Sequence, residues 1–385
     1  SFEKYPWKHW YAPQTELRDY IAHVARKHDV ERNVIFGAEL LSADWDDASG
    51  LWTAKVRKGD EVVEMRANAI IGGTGVFGRP APVKIEGLDT FAGPVFHTAD
   101  WNHDVGYRGK RVTIIGTGSS GCQLMPRIAG EVEQVTVFQR TAPWISPITD
   151  YRGAVSAEAQ WLFDNVPNYW NWYCYAGYWT LSSGIAGLHV FVDEWQAAGG
   201  LVSQRNDIFR DYLLDFMRTK LADRPELIEK CTPNYPPWSK RPVVDNGYYD
   251  ALLRDNVELV TEGISRITPK GVVTRDGTEH PCDIIVLATG FVLEPWGAPA
   301  EFKGRDGQRL SDFWGKDGSR AYLSMTVPGF PNFFMLHGPN SLARTGGTVR
   351  RIEDWSRFSV NCIAHMIAKG AKAFEVRQDV FRDYN

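Results

Sequence analysis

The sequence predicts an α/β fold of two Rossmann-like domains with a helical insertion. Three features carry that expectation. Residues 110–138 read as a βαβ unit around the glycine turn Gly116-Thr117-Gly118-Ser119-Ser120-Gly121. Two apolar strands, one before this unit and one far after it, end in the same pair, Thr74-Gly75 and Thr289-Gly290. The first is followed by Arg79-Pro80-Ala81-Pro82 and reads as a strand leaving one domain for a linker, and the second repeats its ending. Residues 149–237 are rich in Trp and Tyr, show no strand alternation and read as helices.

Bulk properties set the limits. A chain of 385 residues has room for two or three modules and a sizeable core. With 23% charged and 43% hydrophobic residues it is globular. A net charge of −4 gives no basic field, so no nucleic-acid partner is expected. The five cysteines are odd in number and form no C-x-x-C pair, which excludes a disulfide framework, a zinc site and a redox cysteine pair. The nine histidines have no ligand spacing, so no metal site is expected either. This cysteine usage fits a reducing, cytoplasmic location. The chain opens on Ser1, and no signal peptide is expected in its first residues. Residues 165–192 carry no Asp, Glu, Lys or Arg and are long enough to span a bilayer. Asn168, Asn171, Ser182, Ser183, His189 and several glycines interrupt them. A buried aromatic helical insert is therefore expected, and not a membrane span.

Taken in order, residues 17–28 have apolar side chains at 17, 20, 21, 24 and 25, which is helical spacing. Strands are expected around 34–40, 52–57 and 61–66, with turns at Asp46-Asp47 and Gly59-Asp60. Residues 67–73 read as a buried strand. It runs into Gly73-Thr74-Gly75-Val76-Phe77-Gly78, which also spells G-x-G-x-x-G. A phosphate turn works by opening a helix whose first amides face the anion. Arg79-Pro80-Ala81-Pro82 follows here, and two prolines so placed cannot continue a helix.

The second glycine turn passes that test. Residues 110–115 are an apolar strand, a helix is expected from Cys122 to about Ala129 with Pro126 near its start, and 135–138 is the next strand. Helices are expected at 207–220 and 225–229, and strands at 257–260, 271–275 and 283–287.

The βαβ unit carries the first chemistry. Gly116, Thr117, Gly118, Ser119, Ser120 and Gly121, with Gln123 in the helix behind them, are the candidate pyrophosphate residues. An NAD site places an acid about 20 residues on, at the ribose 2′-hydroxyl. Here the second strand ends in Gln139-Arg140-Thr141, with no acid. Arg140 would pair with a 2′-phosphate and Thr141 would add a hydrogen bond, so NADP(H) is expected. Ser239-Lys240-Arg241-Pro242 is, by itself, an ordinary solvated turn. Just ahead of the glycine turn, Phe91, Gly93, His97 and Trp101 stand at the spacing F-x-G-x-x-x-H-x-x-x-W.

That spacing before a glycine turn resembles the signature of Baeyer–Villiger monooxygenases, flavin enzymes that turn ketones into esters with NADPH and O2. The resemblance runs from Tyr11-Ala12-Pro13-Gln14 to the end of the chain. It implies the two-domain fold of the flavin monooxygenase type, with FAD and NADP(H) as cofactors. It implies insertion of one oxygen atom beside a ketone carbonyl, through a C4a-peroxyflavin, to give an ester or lactone. Lys240 would join Arg140 at the 2′-phosphate, and Arg241 would be the catalytic arginine beside the flavin. A fixed guanidinium suits that role because it keeps its charge at any working pH.

By the same resemblance His97 acts in an interdomain linker, in motion and not in bond chemistry, and Phe91 and Trp101 anchor that linker. The family usually has Pro or Asp after the tryptophan, where Asn102 stands here. The related N- and S-monooxygenases usually carry Tyr in place of Trp101 and lack the Lys-Arg pair. The stretch 330–341 resembles the family's segment over the flavin, with Gly338, Pro339 and Asn340 close to FAD.

The implied domains are 1–87, the first part of an FAD-binding domain; 88–104, the signature linker; 105–148 and 238–287, the two parts of an NADP-binding domain; 149–237, the helical insertion; and 288–385, the return of the FAD domain. The family begins with an FAD glycine turn that does not occur here before residue 73, so a fragment truncated at both ends, inactive alone, is expected. The expected substrate is an aryl or cyclic ketone, its pocket shaped by loops around Trp238 and 342–348. An N- or S-hydroxylating flavin monooxygenase and a non-catalytic NADP-binding fragment are the alternatives. Oligomeric state is not legible.

Overall fold

The computed structural model describes residues 3–342 and 347–385. Of the expected substrate loop 342–348, residues 343–346 lie outside the described residues, as does Ser1. In chain order the elements begin with α1 (Gln14–Lys27), β1 (Ala38–Asp46), β2 (Leu51–Lys58), β3 (Glu61–Ala67), β4 (Ile70–Gly72) and β5 (Val95–His97). Then come β6 (Arg111–Ile115), α2 (Ser119–Ile128), β7 (Gln134–Phe138), β8 (Ile145–Ser146), α3 (Ala157–Asn165), α4 (Tyr169–Ala186), α5 (Asp193–Ala197), α6 (Gln204–Lys220) and α7 (Pro225–Cys231). Next are β9 (Val243–Val244), α8 (Tyr248–Leu252), β10 (Val257–Val260), β11 (Ile264–Thr268), β12 (Gly271–Thr274), β13 (Glu279–Pro281) and β14 (Ile284–Leu287). The last are β15 (Glu301–Lys303), α9 (Leu310–Trp314), β16 (Phe333–Met335), α10 (Thr348–Ala368) and α11 (Gln378–Tyr384).

The chain divides into two units. One comprises Ser1–Arg79, Val155–Asn171 and Val292–Asn385; the other comprises Pro80–Ala154 and Trp172–Phe291. Two of the crossings fall just after Thr74-Gly75 and Thr289-Gly290. The expected insertion 149–237 is shared out, since α3 belongs to the first unit and α5 to α7 belong to the second.

In the first unit β15, β1, β2 and β3 form one sheet, antiparallel except for the parallel pair β15–β1. Alternation on β1 turns Ala43 and Trp45 inward, where they meet Trp52, Phe302, Phe330 and Phe333. The buried Trp52 donates its indole N–H to the Pro331 carbonyl at 2.8 Å. Asn332 staples three segments: its amide donates to the carbonyls of Asn68 (2.8 Å) and Lys372 (2.9 Å) and accepts from Phe374 N–H (2.7 Å).

Three sequence expectations are corrected here. The first strand runs over 38–46 and not 34–40, because residues 31–33 take a 3-10 turn and Gly37 (φ 66°) starts the strand late. Residues 67–73 form only the short β4, and Ile71 is 40% exposed. This strand pairs with β16 alone among the described residues, so one of its edges is unpaired there. The expected buried aromatic insert is the helix α4, but Trp172 and Trp179 are 67% and 60% exposed. Its apolar residues circle the helix, and a helix apolar all round cannot bury every side against one neighbour. No helix among the described residues is long and apolar enough to cross a membrane.

The second unit is built on an all-parallel sheet in the order β10-β7-β6-β14-β5. Its strands are buried on both faces, as parallel strands flanked by helices are. Helices α2 and α8 pack on one face through Met125, Ile128, Tyr248 and Leu252. The meander β11-β12-β13 follows β10. Arg111, at the start of β6, donates from its guanidinium (2.7 Å) and its backbone N–H (2.8 Å) to the Asp283 carboxylate just before β14. That pairing holds the Asp283 carboxyl below the usual carboxylate range. Helix α2 begins at Ser119, three residues before the expected Cys122, because the glycine turn closes directly into it.

Candidate functional site

The carboxyl ends of four neighbouring strands open into one cleft of about 880 Å³. From β6 come Gly116, Thr117, Gly118 and Ser119; from β7, Gln139, Arg140 and Thr141; from β10, Thr261, Glu262 and Gly263; and from β14, Ala288, Thr289 and Gly290. Open parallel sheets bind ligands at this edge, where strand order reverses. Here the reversal lies between β6 and β14, beside the glycine turn.

Packing explains two of the glycines. A Cβ on Gly116 (φ 111°) would sit 2.5 Å from the Ala288 carbonyl oxygen, and one on Gly121 would sit 2.1 Å from the Gly116 carbonyl oxygen. Gly118 differs, since a Cβ there would meet nothing within 4 Å. Gly118 is also the N-cap of α2, and among the described residues no side chain caps the helix. The first-turn amides of a ten-residue helix thus face the cleft uncapped, with partial positive charge. Such a cradle fits a pyrophosphate.

Arg140 and Thr141 leave the end of β7 next to this cradle. Buried Thr117 donates its hydroxyl to the Thr141 carbonyl at 3.2 Å and ties the two loops together. Lys240 and Arg241 reach the same cleft from a loop anchored on both sides. After them, β9 pairs with β8, and Val243 N–H donates to the Trp144 carbonyl at 2.7 Å. Before them, Trp144 donates its indole N–H to the Tyr235 carbonyl (2.8 Å), and the Tyr235 hydroxyl donates to the Ala142 carbonyl (3.1 Å). Burial pushes the Tyr235 hydroxyl's pKa up. The Lys240 ammonium lies 4.9 Å from the centre of the Tyr235 ring. Arg140, Lys240, Arg241 and Arg275 all line the cleft, and none of them is in an ion pair among the described residues. Among the described residues Glu262 is the only carboxylate lining it. Sequence reading missed Tyr235, Glu262 and Arg275; no motif marks them, and only the fold brings them to this edge.

Other expected residues lie elsewhere. Ser120, Gly121 and Gln123 are in α2 and do not line the cleft. Gly121 is buried under the turn and Gln123 is exposed. The signature residues also lie outside it. Gly93 packs so close to the Asp283 carbonyl that a Cβ would stand 2.3 Å away. Phe91 packs on the cluster under the β11–β12 hairpin. Trp101 meets Phe96 edge to face, with ring centroids 5.0 Å apart. His97 lies in β5, buried, with Nδ1 accepting from Ala99 N–H at 3.1 Å. Its Nε2 is buried without a partner among the described residues, and its ring meets Phe291 edge to face. Asn102 closes a turn by accepting from Asp104 N–H at 3.0 Å, which an aspartate could do equally.

In the first unit, Gly338 sits against Ser324, where a Cβ would be 2.2 Å from its carbonyl oxygen. Pro339 is buried and Asn340 (φ 60°) is exposed at the following turn. His337 stacks on Trp355, and burial followed by the charge of Arg351 lowers its pKa. Gly73–Gly78 opens no helix. Among the described residues of this unit, no G-x-G-x-x-G turn forms a pyrophosphate cradle like that at Gly116.

A model of the family described as flavin-binding monooxygenase-like matches residues 1–153. The chain is 32% identical over 389 residues to a protein of Pseudomonas aeruginosa named Baeyer-Villiger monooxygenase, covering 100% of this chain and 70% of that one. It is 34% identical over 387 residues to an uncharacterised monooxygenase of Sinorhizobium fredii, again over 100% of this chain but only 58% of the relative's length. The crystal structure of cyclohexanone monooxygenase from Rhodococcus sp. Phi1, bound to NADP+, matches with a TM-score of 0.81 at 29% identity, covering 100% of this chain and 76% of that one.

Proposed function

Because the chain belongs to the flavin-binding monooxygenase family that includes the Baeyer–Villiger monooxygenases, we propose that its second unit binds NADPH for the O2-dependent oxidation of a ketone to an ester or lactone, one oxygen atom entering the product and the other leaving as water. The single observation that carries this reading is the cleft. A helix N-terminus without a cap, a glycine face open to the cleft and unpaired cations converge on one parallel-sheet edge. That donor set fits a dinucleotide with a 2′-phosphate.

In this reading Gly116, Gly118 and the first-turn amides of α2 hold the pyrophosphate. Arg140, Thr141 and Lys240 hold the 2′-phosphate by charge-assisted hydrogen bonds. NADPH, when bound, supplies hydride to the flavin. FAD enters the proposal through the family. The described first unit shows no cradle for its pyrophosphate, so no step is assigned to Gly338, Pro339 or Asn340. Arg241 is the catalytic residue of the proposal. Its guanidinium supplies a permanent charge where negative charge develops on substrate oxygen, and Lys240 beside it keeps anions oriented toward the cleft. His97 serves as a structural pivot, its Nδ1 held by Ala99 and its Nε2–H left for a partner.

Oxygen-dependent NADPH consumption by the FAD-supplemented protein, measured with a cyclic or aryl ketone, an amine and a thioether, tests this. Ester formation from the ketone is the expected result. Turnover of the amine alone would move the protein to the N-hydroxylating enzymes, and NADP+ binding without turnover of any substrate would leave a binding module.

A further inference from the structure

Arg140 stands between two cavities, and their linings differ in charge: four cations against Glu262 in the larger, two cations balanced by two carboxylates in the smaller. The larger is the cleft described above. The smaller, about 490 Å³, is lined by Gln139, Arg140 and Thr141 with Glu226, Glu229 and Lys230 from α7. Its two carboxylates oppose an anion, and the Lys230 ammonium is committed to the Leu259 carbonyl at 3.0 Å. An anion held by Arg140 is therefore favoured on the larger side.

On that side one further arginine has its backbone held in place. Arg275 follows β12, whose four residues are all buried, so it springs from a rigid base. Its backbone N–H donates to the Gly263 carbonyl at 2.9 Å, at the turn that ends β10. Its side chain lies across Gly263, where a Cβ would be 3.1 Å from Nε and 3.3 Å from Cζ. Any larger residue at 263 would press on the guanidinium. β10 and β7 are hydrogen-bonded neighbours with Val260 opposite Phe138, so Gly263 and Arg140 leave adjacent strand ends. Arg275 is exposed to the cleft and makes no ion pair among the described residues.

We infer that Arg275 is a second arginine for the cofactor's 2′-phosphate, closing on it from the β10 side while Arg140 closes from the β7 side. This rests on the NADP(H) reading of the cleft. In this arrangement Gly263 is a specificity device, because its missing side chain lets the Arg275 guanidinium lie flat toward the anion. An arginine pair suits a dianionic phosphate, whose oxygens accept several charge-assisted hydrogen bonds at once.

Calorimetric titration of the whole chain with adenosine 2′,5′-bisphosphate and with AMP tests it, using wild type, R140A, R275A and G263A. R275A is expected to weaken the bisphosphate about 10-fold or more and AMP by less than about twofold, the margin one charge-assisted hydrogen bond supplies. G263A, which keeps every charge, should weaken the bisphosphate by a smaller factor in the same sense. Equal loss of both ligands in R275A would overturn the assignment and make Arg275 an adenine or ribose contact. Unchanged binding of both would overturn it outright. The cofactor reading fails separately, and this inference with it, if wild type and R140A bind the bisphosphate no more tightly than AMP.

Discussion

Gly73–Gly78 and Gly116–Gly121 share one spelling, G-x-G-x-x-G, and the fold uses them in opposite ways. At the second, two of the glycines sit where a Cβ would come within 2.5 Å of a backbone carbonyl oxygen, and the turn closes into α2. At the first, a Cβ on Gly75 or Gly78 would meet nothing within 4 Å, and no helix follows. The spelling is common to both; the close approach of backbone belongs to one. A glycine motif therefore reports a site only where strand, turn and helix press against one another.

The comparison can be broken by substitution. G121A should be the most damaging change, because its Cβ would meet the Gly116 carbonyl at 2.1 Å and neither backbone can yield cheaply. A loss of about 3 kcal/mol in stability, the upper part of the overpacking range, with loss of NADP+ binding, is expected in thermal melts and titrations. R241A should leave NADP+ affinity nearly unchanged and lower ester formation by about 100-fold or more, as removal of one charge-stabilising donor does; ketone oxidation at the normal rate would remove Arg241 from the catalytic role. R140A should weaken NADP+ by about 10- to 100-fold and leave NAD+ unaffected.

Smaller effects sharpen the contrast. Arg111 keeps the Asp283 carboxyl ionised below its usual range. A depressed folded value means the stability is present above the unfolded pKa of about 3.9 and is lost as pH falls through the folded value. D283N should therefore cost at most about 1 kcal/mol near neutrality, since the pair is about one-third exposed, and the gap from wild type should close below about pH 4. G78A should change stability by less than about 0.5 kcal/mol, because its site is open and its φ is not positive. A large loss in G78A would mean that the first glycine run also matters.

Much of the second unit was legible in the sequence because its signals are local. The βαβ spacing, the prolines at 80 and 82 and the missing acid after Phe138 can all be read within short windows. Lys240 and Arg241 were legible only through family resemblance, since a Lys-Arg turn has no signature of its own. Arg275 and Glu262 were not legible, because the β11–β12 hairpin brings them to the cleft through pairing that no periodicity encodes. The aromatic helix α4 misled for a related reason. Sequence shows that its side chains are apolar, but their exposure depends on which neighbours the fold supplies. Asn332 escaped notice because its three backbone partners lie far from it in the chain.

The central claim is that the cleft at the end of the second unit's parallel sheet selects a 2′-phosphorylated dinucleotide. Parallel calorimetric titrations of the whole chain with NADP+ and NAD+ test it most directly. NADP+ should bind more tightly by about 10-fold or more, the margin set by charge-assisted contacts to the phosphate. Equal affinity, or a preference for NAD+, would contradict it.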